Sequence, residues 1–174
     1  MDISRISAGP NPPDEINVII EIPAGGAPVK YEIDKESGAL FVDRFLHTPM
    51  FYPGNYGFIP HTLGDDGDPL DVIVVSPIPL LAGCVIACRP IGVLMMTDEK
   101  GGDEKILAVP ATSVYPYHAN VKNYTDLPPI IVEQIEHFFT HYKDLEKGKS
   151  VSVGGWKDAA GAGQIILKGI AAAK

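Results

Sequence analysis

Asp65-Asp66-Gly67-Asp68-Pro69-Leu70-Asp71 runs without a break into Val72-Ile73-Val74-Val75. Gly67 and Pro69 specify a turn, and the β-branched run after them specifies a strand. Asp71 stands where the two meet, so it is expected at the rim of a small β-barrel. Carboxylates at 66, 68 and 71 are crowded enough to repel one another, which raises their pKa values unless cations lie between them. Hard divalent cations with oxygen ligands supply that charge. The EF-hand pattern does not fit: counted from Asp66, Leu70 falls where that loop needs a ligand and Asp71 where it needs glycine.

Working outward, short β-type segments dominate the first two thirds of the chain. Residues 18–22 and 29–33 read as strands separated by a Gly/Pro-rich turn, and 39–44 follows Gly38 as another. Residues 71–75, 84–90, 91–97 and 104–110 continue the pattern, with Gly101-Gly102 as a hairpin turn before the last. Helical periodicity comes later. Ile131, Ile135, Phe138, Tyr142 and Leu145 recur at helical spacing, with Asp126 expected as the cap, Pro128-Pro129 in the first turn and Gly148 as the stop. A second helix is expected over 159–172, weakened by Gly161, Gly163 and Gly169. No repeat, linker or low-complexity tract divides the 174 residues, so one domain over 1–174 is expected. Its class is mainly β with α (α+β): a small closed barrel with two flanking helices.

Fourteen basic against twenty-two acidic residues give a formal charge of −8. Such a surface repels nucleic acid, and equally repels a small anionic substrate unless metals and local Lys or Arg invert the field. No apolar run approaches a membrane span, and residues 1–13 lack the pattern of a secretory signal. Cys84 and Cys88 lie four residues apart on a strand, about 13 Å. That is too far for a disulfide or a shared metal, so both are expected to be buried free thiols, as in a reducing cytoplasm.

Asp98 and Asp103 flank a second turn, with Lys105 on the same side of its strand as Asp103, while Lys30 and Glu32 share one face of the 29–33 strand. Each pair alone is ordinary for a solvated surface. Together with the 66–71 turn, they form three carboxylate clusters at strand ends with basic residues interleaved. Converging at one mouth of a barrel, they suit phosphoryl transfer, in which metals neutralise the substrate and acidify a water while one carboxylate serves as base. An oligonucleotide-binding barrel would need aromatic platforms and a basic groove. A purely structural metal binder leaves Lys30, Arg44, Tyr142 and Lys143 without a task, and an enzyme for organic polyphosphates needs a pocket for the base.

The run Asp66-Gly67-Asp68-Pro69-Leu70-Asp71-Val72 resembles the signature of the bacterial-type (family I) soluble inorganic pyrophosphatases. Pro28-Val29-Lys30-Tyr31-Glu32, Val42-Asp43-Arg44-Phe45, residues 52–60, Met96-Thr97-Asp98-Glu99, His137-Phe138-Phe139 and residues 142–149 resemble that family in order and spacing, covering about residues 17–156. Ser150, where the family often has a bulky aromatic, and the Gly/Ala-rich C-terminal stretch depart from it. The resemblance implies a five-stranded OB-type barrel with two helices that hydrolyses pyrophosphate through a metal-bridged water or hydroxide. It implies Asp66, Asp71 and Asp103 as ligands of a first Mg2+, Asp71 bridging to a second, Asp98 and Asp103 holding a third, and Glu32 a fourth. About three to four Mg2+ would thus gather with substrate bound, Mn2+ or Zn2+ being substitutes. Asp68 would be the general base, and Lys30, Arg44, Tyr142 and Lys143 would grip phosphate oxygens, with Tyr56 and Lys105 close by. Glu21 and Glu99 would stand behind the ligands. The implied assembly is a homohexamer, a dimer of trimers, with His137 and His141 at a subunit interface.

Overall fold

The computed structural model describes residues 2–174. Its first strand, β1 (Ile16–Ile22), is followed by a hairpin of β2 (Val29–Ile33) and β3 (Leu40–Phe45), which forms a separate two-stranded sheet. Then come β4 (Asn55–Phe58), β5 (Asp71–Val74), β6 (Val85–Asp98), the short β7 (Gly101–Gly102) and β8 (Lys105–Pro110). The chain ends with α1 (Pro129–His141), β9 (Val151–Asp158) and α2 (Ala159–Ala172).

β1 pairs antiparallel with both β4 and β6, β4 with β5, and β8 with β6, while β5 and β8 run parallel. The five strands β1, β4, β5, β8 and β6 therefore close into a ring, the expected small barrel. Alternation along β5 explains how the ring is filled. Val72 and Val74 join one apolar core with Ala162 and Ile166 of α2, and Ile73 joins another with Ile135, Phe138 and Phe139 of α1.

Several local expectations are corrected. Residues 84–90 and 91–97 belong to one strand of fourteen residues, β6. Pro90 looks like a strand end in sequence, but the register shifts between Pro90 and Gly92 and the strand continues through a bulge. Gly101-Gly102 is not the turn itself: it pairs with Thr97 and Asp98, and the turn lies just before it. β4 and β9 are strands that the apolar pattern did not announce. β4 is buried throughout, which removes alternation, and β9 is rich in small and polar residues.

α1 stops at His141, and Leu145, assigned to its buried face, is exposed. Asp126 does not cap α1 either. Its carboxylate accepts hydrogen bonds from the backbone N–H groups of Lys122 (2.8 Å) and Asn123 (2.9 Å), closing the preceding turn. α2 forms despite its glycines because they are needed for close packing. A Cβ at position 169 would fall 2.6 Å from Leu70 Cδ1, and Asp158 caps the helix by accepting from Gly161 N–H. Both cysteines are free, and Cys88 is buried as expected, but Cys84 is partly exposed because it lies just before β6 begins. Among the described residues no helix is long and apolar enough to cross a membrane.

Gly57 is where the ring is tightest: a Cβ there would lie 1.9 Å from the carbonyl oxygen of Ile19 on the neighbouring strand. Gly57→Ala is expected to lower stability by about 3 kcal/mol through forced strand separation. Urea denaturation checks this, and an unchanged midpoint would mean that β1 and β4 part freely.

Candidate active site

One cavity of about 320 Å³ opens at the mouth of the barrel. β1 supplies Glu21 to it, the β2–β3 hairpin supplies Lys30, Glu32, Lys35, Asp43 and Arg44, and β4 supplies Tyr56. The turn into β5 supplies Asp66, Asp68 and Asp71. The β6–β8 connection contributes Asp98, Glu99, Lys100, Asp103 and Lys105, and the turn after α1 contributes Tyr142, Lys143 and Lys149. Every residue assigned a catalytic, substrate or metal role from the sequence lines this cavity, as do Glu21 and Glu99. His137 and His141 lie elsewhere, near the end of α1, with ring centroids 4.6 Å apart and the rings tilted by 49° to one another.

At its floor is Lys105. The parallel register of β5 and β8 sets Asp71 beside Lys105, and the lysine Nζ donates to Asp71 Oδ2 and Asp103 Oδ1, each at 2.5 Å. Burial opposes the ammonium's charge, yet the two carboxylates prevail and hold its pKa above the ordinary lysine value. Burial pushes the Asp103 carboxyl up, and the charge of Asp71 adds to this.

Higher in the cavity, Lys143 Nζ lies 3.0 Å from Asp98 Oδ2 and 3.8 Å from Glu99 Oε2, and Lys149 Nζ is 2.7 Å from the other Glu99 oxygen. Asp68, half exposed at the rim, is met by Lys35 at 3.2 Å and Lys100 at 3.9 Å. Asp66 shapes the turn by accepting from Asp68 N–H at 3.0 Å, and Gly67 occupies a left-handed conformation, φ 89°, that a side chain would resist.

On the hairpin side, Lys30 pairs with Glu32 and, at 3.5 Å, with Asp43. Asp43 also accepts from Arg44 Nη1 at 2.6 Å. Burial raises the Asp43 carboxyl, but Lys30 and Arg44 outweigh it and hold it below the usual range. Glu21 joins barrel and hairpin by accepting from Ile33 N–H at 2.7 Å, and burial pushes its carboxyl up to about 8. Tyr52, Tyr56 and Tyr142 form a buried aromatic wall.

Sequence reading left Asp43, Lys35, Lys100 and Lys149 without roles. The cross-strand register of Lys30 with Arg44 places Asp43 between the two cations, a pairing that is visible only once the hairpin register is known. Lys35 and Lys100 sit at turn tips, where sequence does not distinguish them from solvated lysines.

Nine acidic and seven basic side chains line the cavity. Among the described residues no three acidic, His or Cys groups stand close enough to enclose a metal, because lysines lie between the carboxylates. The potential ligands are nonetheless all carboxylates, with no thiol or imidazole in the lining. That donor set suits a hard cation such as Mg2+.

A sequence model described as inorganic pyrophosphatase matches residues 18–174. The chain is 64% identical over 170 residues to an inorganic pyrophosphatase of Caulobacter vibrioides, covering 98% of this chain and 96% of that one. It is 60% identical over 172 residues to one of Pseudomonas aeruginosa, covering 99% and 98%. Among solved structures it is similar to an inorganic phosphatase of Anaplasma phagocytophilum, with a TM-score of 0.95 at 56% identity over 97% of this chain and 98% of that one. The inorganic pyrophosphatase of Thermus thermophilus gives a TM-score of 0.92 at 42% identity over 99% of each chain. Matched from β1 to the last residue, the chain belongs to the inorganic pyrophosphatase family, metal-dependent hydrolases that split pyrophosphate into two phosphates.

Proposed function

We propose that this pyrophosphatase uses the carboxylates of its cavity to gather Mg2+ and the lysines and arginine interleaved with them to grip the substrate. The carrying observation is that acids and bases far apart in sequence line one mouth of the barrel. In this reading Asp66, Asp71 and Asp103 would hold one ion, and Asp71 would also help to hold a second. Asp98 and Asp103 would hold another and Glu32 a further one, so that about three to four would gather with substrate bound. Magnesium would neutralise pyrophosphate and lower the pKa of the attacking water, a task Mn2+ or Zn2+ can share.

Lys30, Arg44 and Lys143 bind phosphate oxygens, Arg44 through a planar fork and the lysines as point charges. Tyr142 donates its hydroxyl at the cavity wall, with Tyr56 packed behind it. Lys105, pinned between Asp71 and Asp103, keeps two crowded carboxylates together while presenting its charge to the cavity floor. Asp68 takes the proton from water as the oxygen attacks phosphorus. The bridging P–O bond then breaks, and the charge left on the departing phosphate is met by the same lysines and arginine. Asp68 suits the role because it stands at the open rim, where its proton can escape to solvent.

The whole chain acts as one domain in a homohexamer, a dimer of trimers, with the exposed His137–His141 pair at an interface. His141 Nδ1 lies 2.8 Å from Asp144 Oδ2, within the same patch. Free Cys84 and Cys88 fit a cytoplasmic location.

Purified protein supplied with Mg2+ and pyrophosphate is expected to release phosphate, and a chelator to abolish the release; turnover surviving chelation would sink the reading. Asp68→Asn is expected to bind Mg2+ almost normally by calorimetry yet lose roughly a hundredfold or more in kcat. A near-normal rate would move the base elsewhere. Lys105→Met leaves Asp71 and Asp103 facing each other unpaired. In chelator it is expected to lose roughly 3 kcal/mol of stability by urea denaturation, partly recovered when Mg2+ is added. Equal loss with and without Mg2+ would mean that the metal does not use these carboxylates.

A further inference from the structure

Glu146 is absent from the cavity lining, yet its carboxylate holds Arg44, which does line it. The side chain is 6% exposed, and its Oε1 and Oε2 both stand 3.1 Å from Arg44 Nε. Among the described residues this is its only ion pair. A buried ion pair is a poor source of net stability, because desolvating both charges offsets their attraction. Its geometric effect is large, however. Arg44 is held through Nε by Glu146 and through Nη1 by Asp43, and neither contact takes Nη2. The guanidinium plane is thereby fixed in a side chain that lines the cavity.

The backbone around Glu146 reinforces this. Glu146 N–H donates to the carbonyl of Lys143, and Lys149 N–H donates to that of Glu146. The same turn is stitched to the segment after β3, where Thr48 Oγ1 donates to the carbonyl of Tyr142 and His47 Nδ1 lies 3.3 Å from that of Leu145. One turn thus aims Tyr142 and Lys143 directly and Arg44 at a distance.

We propose that Glu146 is a positioning residue for pyrophosphate hydrolysis, fixing the Arg44 guanidinium in the plane that receives a phosphate group. The proposal rests on the reading of Arg44 as a phosphate ligand. With the carboxylate gone, Arg44 regains rotamer freedom and its fork must be ordered anew each time the anion binds.

The test is a cycle of Glu146→Ala, Arg44→Ala and the double variant, with kcat and KM for pyrophosphate measured at saturating Mg2+ and folding checked by circular dichroism. Glu146→Ala is expected to raise KM about tenfold with a smaller change in kcat, and to add nothing to the loss already caused by Arg44→Ala. Losses that multiply in the double variant would overturn the proposal, since Glu146 would then act through some other group. A KM unmoved by Arg44→Ala would remove Arg44 from the substrate grip and the proposal with it. Normal KM in Glu146→Ala beside a raised KM in Arg44→Ala would overturn the role of Glu146 alone. Should Glu146→Ala fold poorly, the near-isosteric Glu146→Gln carries the same cycle, with an expected rise of about threefold that vanishes in the Arg44→Ala background.

Discussion

A buried ammonium between two carboxylates is the constraint on which the rest of the site depends. Asp71 begins β5 and Asp103 lies in the connection between β7 and β8, and the two would repel one another at the bottom of the cavity. Lys105 lies between them with almost no solvent contact, so its charge is felt at low effective dielectric. The pairing requires β5 and β8 to be parallel neighbours in one register, because a slip of one residue would turn Lys105 to the opposite face. Ring closure, strand order and electrostatics therefore specify one another.

The same logic repeats around the rim with less burial. Lys143 meets Asp98, Lys149 meets Glu99, and Asp43 lies between Lys30 and Arg44. Like charges are spaced by opposite ones, so the cavity concentrates both signs without a large net field. This resolves the conflict between an acidic protein and an anionic substrate. Nine acids against seven bases give the cavity only −2 of the chain's formal −8, so most of the negative charge lies outside it, while the substrate meets an alternating lattice of local charges.

Much of this was legible in the sequence because its elements are strongly patterned. The 66–71 turn announces itself by glycine and proline between acids, and the ring strands rich in Val and Ile follow from β-branched runs. α2 was recovered with its bounds because Asp158 caps it and the apolar period survives the glycines. What was hidden depends on partners distant along the chain. β4 reads as a turn-rich aromatic stretch until it is enclosed on both sides. Pro90 suggests a strand end where a bulge carries the strand onward. Glu146 looks like any charged residue after a helix, and only its burial against Arg44, 102 positions away, distinguishes it.

That distance has a consequence for how the protein comes into being. On a ribosome Asp71 emerges 34 residues before Lys105, and Asp98 precedes Lys143 by 45. Throughout that interval Asp71 and Asp98 lack the lysines that pair with them in the folded protein, and closing such long loops must await the later segments. The cavity is therefore completed late: the turn that follows α1, delivered with only β9 and α2 still to come, locks a charge pattern begun more than a hundred residues earlier.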